Sequence, residues 1–288
     1  MNRLLKSMVC CLRPPSVNIV EVKIPEKSIS KKIAIGDDIE DIGYIASGFN
    51  GDVNQVKVDN KLYTCKRFKN RNIYNQEKRI MKQLKQSKRL QRYAFCDDDK
   101  LCLYSHYIEG MDMYYFLEEN STKNSFPTFN DNVVGKIGKQ ILLGLKELQN
   151  QGYVHLDLKP ENLIIDDDLN VVLIDFDTSR LLYKNKNLNY LLKMVGTENY
   201  MAPEIKKKKF NETTDIWSLG VILWILRIGA FPYEYSYLFK KKLTEYAYYE
   251  YAEDNPVFLD LMKKMFVKNP YERITIKKAL KHDYFKNI

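Results

Sequence analysis

Apolar residues recur along this chain with two different spacings, and each spacing predicts a different kind of element. Short apolar runs bounded by polar turns, typical of strands, occur at 61–68, 101–107, 153–154, 163–165 and 171–174. Helical spacing with one broad apolar face occupies 132–151, and the apolar run 216–226 predicts a buried helix. Two further helical regions are predicted, around 77–84 and within 232–266.

The first 37 residues show little periodicity and are predicted to form an N-terminal extension, with a domain beginning near Asp38. Their apolar run is too short for a signal peptide. The longest apolar stretch, 216–226, is well below the roughly 18 residues that a membrane span needs. We therefore expect membrane association only if Cys10 and Cys11 are S-acylated.

Composition narrows the class of protein without deciding the fold. The 288 residues are 45% hydrophobic, enough for a sizeable core in one two-lobed unit or in two small domains. The net charge of +9 is compatible with anionic partners, although a basic, well-solvated surface is the simpler explanation. Five cysteines without CxxC spacing indicate neither a disulfide framework nor a zinc site. An intracellular location, cytoplasmic, nuclear or both, is expected.

The chemistry of the chain is concentrated between residues 153 and 177. Polar turns between three predicted strands gather five side chains, His155, Asp157, Lys159, Asn162 and Asp175. Amide and carboxylate oxygens are the ligands that Mg²⁺ prefers, and a nearby carboxylate can orient a hydroxyl nucleophile. This set of residues would suit a phosphate ester held by a divalent metal.

The sequences HLDLKPEN and DFD closely resemble the catalytic loop and the metal-binding motif of protein kinases, H-R-D-L-x-x-x-N and D-F-G. GTENYMAPE and DIWSLG extend the resemblance, which covers residues 38–285. It implies an α+β, bilobal protein kinase fold: a small antiparallel β lobe with one main helix over 38–107, and a large, mainly helical lobe over 108–288. ATP is expected to bind between the lobes.

The resemblance also assigns roles in phosphoryl transfer. Asp157 would accept or orient the substrate hydroxyl, and Lys159 would neutralise the γ-phosphate. Asn162 and Asp175 would hold Mg²⁺, with Mn²⁺ as an alternative ion. Thr197 would pack against Asp157 and Lys159 and shape the pocket for the residue after the phosphoacceptor. A lysine two residues after the catalytic aspartate is the serine/threonine pattern.

A glycine-containing turn supplies the first predicted nucleotide contacts. The sequence resembles the kinase loop G-x-G-x-x-G-x-V, with Ala46 in place of the first glycine. Glycines in a hairpin are also common for purely structural reasons. The predicted nucleotide-binding residues of this loop are Ile45, Ala46, Ser47, Gly48, Phe49, Asn50, Gly51 and Val53.

Further nucleotide contacts follow from the strand YTCKRF and the helix pattern EKRIM. Lys66 stands where the family has the lysine of V-A-I-K, and Glu77, at the start of the predicted helix, would pair with it. That pair would aim Lys66 at the α- and β-phosphates. By resemblance, Ser105 occupies the gatekeeper position. Adenine would be held by the backbone of His106, Tyr107 and Ile108.

Two departures from the family pattern bear on regulation. Leu156 replaces an arginine that in many kinases clamps a phosphorylated activation segment, so no bidentate phosphate pair can form there. We therefore expect a non-RD kinase that does not depend on activation-segment phosphorylation. Calmodulin-dependent, myosin light chain kinase-like domains also read His-Leu-Asp, and this chain is expected to be such a domain without its regulatory tail. Asp177 replaces the glycine of D-F-G, at a position where left-handed backbone is expected.

The resemblance predicts two structural supports of the large lobe. Glu204 and Arg273 are expected to form a buried ion pair, and Asp215 is expected to support the catalytic loop from a buried helix.

Expected partners are protein substrates that offer serine or threonine. Asp112 and Glu161 would attract an arginine placed before the acceptor. The lysine run 206–209 is either a solvated loop or a docking site for an acidic partner. No nucleic acid partner is expected, and the chain is predicted to be a monomer.

Two alternative functions stay open at this point. Ala46, Leu156 and Asp177 are compatible with a pseudokinase acting as a nucleotide-binding scaffold, although the five side chains expected at the phosphates and the metal are all retained. A small-molecule or lipid kinase is the second alternative. GTENYMAPE and DIWSLG argue against it, because they resemble the machinery for protein substrates.

Overall fold

The computed structural model describes residues 39–48, 50–84, 87–121, 127–183, 189–232 and 255–286. The predicted extension, with Cys10 and Cys11, lies outside this described part, as do Phe49 and the helices expected at 233–254. The chain divides into two compact units, of which the first ends at Glu109 and the second begins at Gly110. The sequence had placed this boundary at 107.

The first unit is built on an antiparallel sheet. Its described elements are β1 (Glu40–Ser47), β2 (Gly51–Val58), β3 (Lys61–Phe68), α1 (Arg71–Gln83), β4 (Tyr93–Asp97) and β5 (Cys102–His106). The strands lie in the order β1-β2-β3-β5-β4, and every neighbouring pair is antiparallel. Side chains directly opposite one another in such pairs share one face of the sheet.

The two faces of this sheet are chemically different. One face carries the apolar core of the unit, which comprises Ile39, Val56, Cys65, Cys102 and Tyr104. Because successive side chains alternate, Lys66 points to the other face. A row of cross-strand partners runs there from Ala46 through Val53 and Lys66 to Leu103. The sheet thus aligns three of the predicted nucleotide-binding residues.

Helix α1 begins earlier than the sequence indicated. The Asn70 side chain caps it by accepting hydrogen bonds from the amides of Asn72 (2.9 Å) and Ile73 (3.2 Å). Glu77 therefore lies in the middle of the helix, and its predicted place at the helix start is wrong. The cap allows the helix to begin three residues after β3.

The second unit is mainly helical, with short strand pairs. Its described elements are β6 (Met111–Asp112), α2 (Met113–Glu119), α3 (Asp131–Asn150), β7 (Tyr153–Val154), β8 (Leu163–Ile165), β9 (Val171–Leu173), β10 (Arg180–Leu181), β11 (Asn189–Tyr190), β12 (Lys209–Phe210), α4 (Thr214–Ile228), α5 (Pro256–Met265) and α6 (Ile276–Ala279). Its strands form one three-stranded sheet, in the order β6-β8-β9, and two pairs, β7-β10 and β11-β12.

The core of the second unit lies between α3 and α4. Helix α4 is buried from Thr214 to Leu226, which accounts for its apolar sequence on every side. The two helices approach closely where α3 carries Gly138, since a Cβ added there would lie 2.7 Å from Leu223 Cδ2. The sheet-rich first unit and the helical second unit confirm the predicted α+β class.

Two simpler expectations can be compared with the described residues. Among these residues, no helix is both long and apolar enough to cross a membrane. Cys65, Cys96 and Cys102, the cysteines of the described ranges, are free thiols.

Candidate active site

The first unit contains the predicted pair of Lys66 and Glu77. Lys66 Nζ lies 2.8 Å from Glu77 Oε2, and the glutamate is only 2% exposed. The ammonium also lies 4.9 Å from the centre of the Phe68 ring. A lysine on this sheet face is thus held in one position by a buried carboxylate.

Asp98 holds the helix that carries Glu77. On α1, the hydroxyl of Tyr74 and the ammonium of Lys78 both donate to Asp98 Oδ1, the latter at 2.5 Å. Tyr74 is fully buried and packs edge-to-face on Phe68. These contacts tie the helix to the turn after β4. Sequence reasoning missed Asp98, because it stands in a run of three aspartates that reads as an ordinary polar turn.

The glycine turn between β1 and β2 has a structural reason for one of its glycines. A Cβ at Gly51 would lie 2.1 Å from the Arg67 carbonyl oxygen, whereas one at Gly48 would meet nothing closer than 3.6 Å. The amide of Gly48 donates to the Gly51 carbonyl (2.8 Å), which closes the turn. Gly51 is therefore required by the close approach of β3, independently of any phosphate.

The predicted gatekeeper, Ser105, is buried and has a hydrogen-bonding partner. Gln91 Nε2 donates to Ser105 Oγ at 2.9 Å. The backbone amides of His106 and Tyr107 donate to the carbonyls of Arg92 (3.0 Å) and Leu62 (3.3 Å). The segment expected to hold adenine is thus anchored on both sides. Gln91 was not foreseen, and its sequence position carries no signal for this contact.

The second unit brings together the predicted catalytic residues. The hydroxyl of Thr197 donates to Asp157 Oδ1 (2.7 Å) and accepts from Lys159 Nζ (3.1 Å). Lys159 Nζ also lies 3.2 Å from Asp157 Oδ2. Asn162 Nδ2 donates to the Asp157 carbonyl oxygen (2.8 Å) and lies 3.3 Å from its Oδ2. The Asp157 carboxylate is thus held between an ammonium, an amide and a hydroxyl. The hydroxyl comes from a residue forty positions later in the sequence.

Asp215 fixes the backbone just before this carboxylate. Its two oxygens accept hydrogen bonds from the amides of His155 (2.8 Å) and Leu156 (2.9 Å). Leu156 has φ +69°, a left-handed conformation that is costly for a leucine, and its side chain is only 6% exposed. The buried carboxylate stabilises that strained turn. The expected support from Asp215 is confirmed.

The second predicted metal ligand, Asp175, also has left-handed backbone, with φ +62°. The amide of Ile174 donates to the carbonyl of Asn162 (3.0 Å), which links the two turns that carry the predicted ligands. Phe176 is fully buried beside the His155 ring, at 5.5 Å between ring centres. Asp177 is not among the residues with positive φ. The expected left-handed backbone at 177 is wrong, because the turn places it at 175.

The donor atoms of Asn162 and Asp175 fit a hard divalent cation. Asn162 uses its Nδ2 in hydrogen bonds to Asp157, which directs its carbonyl oxygen away from those contacts. Asp175 contributes a carboxylate. Amide and carboxylate oxygens form the set that Mg²⁺ prefers, and Mn²⁺ accepts the same ligands.

Burial and charge set the protonation of the neighbouring groups. Burial would lower the pKa of Lys159, but the carboxylates of Asp157 and Glu161 outweigh it and raise that pKa above its ordinary value. The lysine is therefore a permanent cation at neutral pH. Burial raises the pKa of Glu161, against the opposing effect of Lys159, and Glu161 Oε2 is buried without a hydrogen-bonding partner.

Asp112 has a structural function that the sequence did not reveal. Its carboxylate caps helix α2 by accepting from the amide of Tyr115 at 3.0 Å. Burial raises its pKa. Because the carboxylate is already engaged, Asp112 offers less to a substrate arginine than Glu161 does.

Arg180 was also missed by sequence reasoning. Its Nη1 donates to the carbonyls of Thr178 (2.7 Å) and Ser179 (2.8 Å), and lies 3.4 Å from that of Asp177. The guanidinium thus fastens the chain just after the predicted metal ligand. A cation three residues after DFD was the only available signal.

The expected ion pair between Glu204 and Arg273 is confirmed. Arg273 Nη1 and Nη2 bind the two carboxylate oxygens of Glu204 at 2.7 and 2.8 Å. The side chains are 0% and 5% exposed. The pair anchors the segment that follows Thr197 to the loop just before α6.

Comparison with known proteins agrees with this geometry. The protein kinase domain family matches residues 39–285. The serine/threonine-protein kinase PKH2 of Candida albicans is 30% identical over 206 residues, which are 68% of this chain and 21% of that protein. The serine/threonine-protein kinase cds1 of Schizosaccharomyces pombe is 29% identical over 247 residues, 80% of this chain and 52% of that protein. The SNF1-like protein kinase ssp2 of the same yeast is 32% identical over 151 residues, 51% of this chain and 26% of that protein. The matched regions are thus about a fifth to a half of these relatives.

Proposed function

This chain belongs to the protein kinase domain family, and we propose that it is a protein serine/threonine kinase that uses ATP and Mg²⁺. The observation that carries the proposal is the contact of Asp157 with both Lys159 and Thr197. A carboxylate able to take a proton stands beside a fixed cation able to neutralise a phosphate. The relatives that carry serine/threonine kinase names support the same substrate type.

In the proposed mechanism, Asp157 orients the substrate hydroxyl and accepts its proton as the oxygen bonds to the γ-phosphorus. The bond from that phosphorus to the β,γ-bridging oxygen breaks, and ADP leaves. Lys159 stays protonated and stabilises the charge on the transferred group. Lys66, held by Glu77, binds the α- and β-phosphates. Asn162 and Asp175 would hold the metal ion, which would supply charge neutralisation at the phosphates when bound.

The decisive assay is transfer of label from γ-labelled ATP to a serine/threonine peptide array in the presence of Mg²⁺. Asp157→Asn is the matched variant, because the amide oxygen can still accept from Thr197. We expect it to lose about 10²- to 10⁴-fold in kcat, the usual contribution of a general base. If the unaltered chain binds ATP in a thermal-shift titration but never transfers phosphate, the scaffold alternative replaces this proposal.

We further propose that activity does not depend on phosphorylation of the activation segment. Residues 180–196 contain no serine or threonine. The flanking hydroxyls of Thr178 (3.0 Å) and Ser179 (3.3 Å) donate to the His155 carbonyl, and that of Thr197 donates to Asp157. Arg180 Nη1 already donates hydrogen bonds to the backbone carbonyls of Thr178 and Ser179. Phosphatase treatment should therefore leave activity unchanged, and near-complete loss would contradict this proposal.

The same features place the chain, in our proposal, with the calmodulin-dependent, myosin light chain kinase-like domains. The support is the His-Leu-Asp sequence with a buried Leu156. Leu156→Arg should therefore not raise activity, since no phosphorylated serine or threonine would meet the new guanidinium. A rise in kcat that phosphatase treatment reverses would argue for a different regulatory class.

Substrates are proposed to be proteins with serine or threonine acceptors and an arginine before the acceptor. The unpartnered oxygen of buried Glu161 supports that preference. Glu161→Gln should weaken the preference for arginine in the peptide array. An unchanged preference would refute this role of Glu161.

We propose a monomer in the cytoplasm, the nucleus or both, with membrane association only through acylation of Cys10 and Cys11.

A further inference from the structure

One surface of the second unit combines apolar side chains with a run of lysines. We define this basic apolar surface as Tyr190, Leu192, Lys193, Met194 and the lysines at 206–209. Leu192 is 101% exposed, Tyr190 68% and Met194 54%. Contiguous exposed apolar side chains rimmed by polar residues are typical of an interaction surface, and these three lie within five residues of one another.

Backbone pairing holds the two parts of this surface together. Tyr190 on β11 is paired with Lys209 on β12, and the amide of Leu191 donates to the carbonyl of Lys208 at 2.8 Å. Lys209 Nζ lies 5.5 Å from the centre of the Tyr190 ring. The chain that leads into Leu192 and Met194 is therefore fixed beside the end of the lysine run.

The positive charge of this surface is not balanced within the described chain. Lys193 and the four lysines at 206–209 form no ion pair with any residue whose placement the structure gives. Glu204, the acid nearest to the run in sequence, is turned inward and bound to Arg273. Concentrated positive charge of this kind attracts an acidic partner over several ångströms.

The surface leads directly to the proposed phosphoacceptor site. Met194 is three residues before Thr197, so their Cα atoms are at most about 11 Å apart. Thr197 contacts Asp157 at 2.7 Å. A polypeptide whose hydroxyl reaches Asp157 therefore has this surface within a few residues of its path.

We propose that the basic apolar surface docks an acidic segment of the protein substrate, with an apolar residue of that segment packed on Leu192 and Met194. This inference rests on the proposed kinase function. A polypeptide supplies both carboxylates and an apolar side chain. The bases of a nucleic acid would need aromatic rings to stack on, whereas Leu192 and Met194 are aliphatic and the Tyr190 ring already faces Lys209 Nζ at 5.5 Å. The acidic segment that binds this surface is separate from the proposed arginine before the acceptor, which would contact Glu161. A substrate could therefore carry both features.

A binding measurement tests the surface without relying on catalysis. The probe is a fluorescein-labelled peptide with an isoleucine followed by four glutamates, titrated with the whole chain by anisotropy at 50 and 300 mM salt. We expect saturable binding that weakens with salt, and a Kd about 10-fold higher for Lys206→Glu/Lys207→Glu. The matched control is Lys277→Glu/Lys278→Glu, which reverses two neighbouring exposed lysines on α6 and should leave Kd unchanged.

Equal losses in both double variants would overturn the proposal, because net charge alone would then explain binding. Tighter binding of a single-stranded oligonucleotide at the same surface would overturn it in favour of nucleic acid. Self-association of the chain that Lys206→Glu/Lys207→Glu abolishes would instead identify an interface between two copies.

A kinetic measurement separates this inference from the kinase function itself. Three serine peptides of equal length are compared, with four glutamates before the acceptor, four after it, or glutamines in both places. We expect kcat/KM for one acidic peptide to exceed that of the neutral peptide about 10-fold, mainly through KM. The Lys206→Glu/Lys207→Glu variant should bring that ratio close to one. Turnover of all three peptides at equal rates would refute the docking surface and leave the kinase proposal intact, whereas no turnover of any peptide would refute the kinase proposal.

Discussion

The buried pair of Glu204 and Arg273 allows a quantitative prediction about stability. Glu204→Gln keeps the size of the side chain and removes its charge. The guanidinium would remain buried, because it also donates to the carbonyls of Thr213 and Val267, both at 3.0 Å, and lies 5.3 Å from the Trp217 ring. A cation that cannot reach water is thus left with only neutral partners.

The expected cost follows from the bidentate contact between Arg273 and Glu204. The glutamine oxygen can keep one of the two hydrogen bonds, now with an uncharged acceptor, whereas the glutamine NH2 group would face the second guanidinium donor. Each hydrogen bond to a charged group contributes about 1.5–3 kcal/mol, so the bidentate contact is worth about 3–6 kcal/mol. Breaking a buried ion pair by removing one partner typically costs about 3–5 kcal/mol. We therefore predict that Glu204→Gln lowers the free energy of unfolding of the second unit by about 3–5 kcal/mol.

Urea unfolding followed by tryptophan fluorescence measures this change. The chain has two tryptophans, Trp217 and Trp224, and both lie on α4, so the signal reports the second unit. Lys264→Gln is the control, since it removes an exposed ion pair with Asp260 and should cost well under 1 kcal/mol. A loss below about 1 kcal/mol for Glu204→Gln would refute the reasoning.

Three further predictions concern activity and pH. Gly196→Ala should lower kcat at least about 10-fold, because position 196 has φ +95° and a Cβ there would lie 2.6 Å from the Leu156 carbonyl oxygen; Gly43→Ala, where a Cβ meets nothing within 4 Å, should be neutral in the same assay. Asp98→Asn should lower kcat while KM for peptide is unchanged, since it loosens the helix that carries the glutamate partner of the lysine, and unchanged kcat would show that this clamp is dispensable. Burial, aided by the nearby cations Arg92 and Lys61, lowers the pKa of His106. The neutral imidazole therefore makes its full contribution to stability above the ordinary pKa of about 6.5, and this contribution is lost as pH falls through the lowered pKa. His106→Gln should therefore reduce the loss of protection in β3 and β5 between pH 7 and 5, measured by hydrogen exchange corrected for the intrinsic rate, and an unchanged pH dependence would contradict this sign.

Residues that act through motifs were predictable because their spacing along the chain is short. Asp157, Lys159 and Asn162 lie within six residues, so one turn positions all three, and the side chains of Lys159 and Asn162 both contact the Asp157 carboxylate. The pairs with long separations, Lys66 with Glu77 and Glu204 with Arg273, came from the resemblance to kinases. The roles of these residues in catalysis stay predictions.

The errors arose where local geometry depends on contacts that sequence patterns do not encode. The start of α1 was missed because a cap by Asn70 outweighed the weak apolar periodicity of the first helical turn. The left-handed residue of the DFD turn was placed at 177 by analogy with glycine, whereas the structure has positive φ at Asp175 and not at Asp177. Gly51 stays a predicted phosphate contact, but the Arg67 carbonyl by itself excludes a side chain there, which supports the structural explanation that the sequence had left open.

The amino-acid sequence by itself determined the family, the order of the elements and most of the side chains that would handle a phosphate, because motif residues and periodicity are local properties. Only the tertiary structure decided which charged side chains are bound within the protein and which remain exposed to a partner. Asp112 caps a helix and Arg180 binds carbonyls, whereas the lysines at 206–209 pair with no described carboxylate. The physical reason is that hydrogen bonds and ion pairs are made between residues distant in sequence, so the charge left over for a partner is a property of the folded chain.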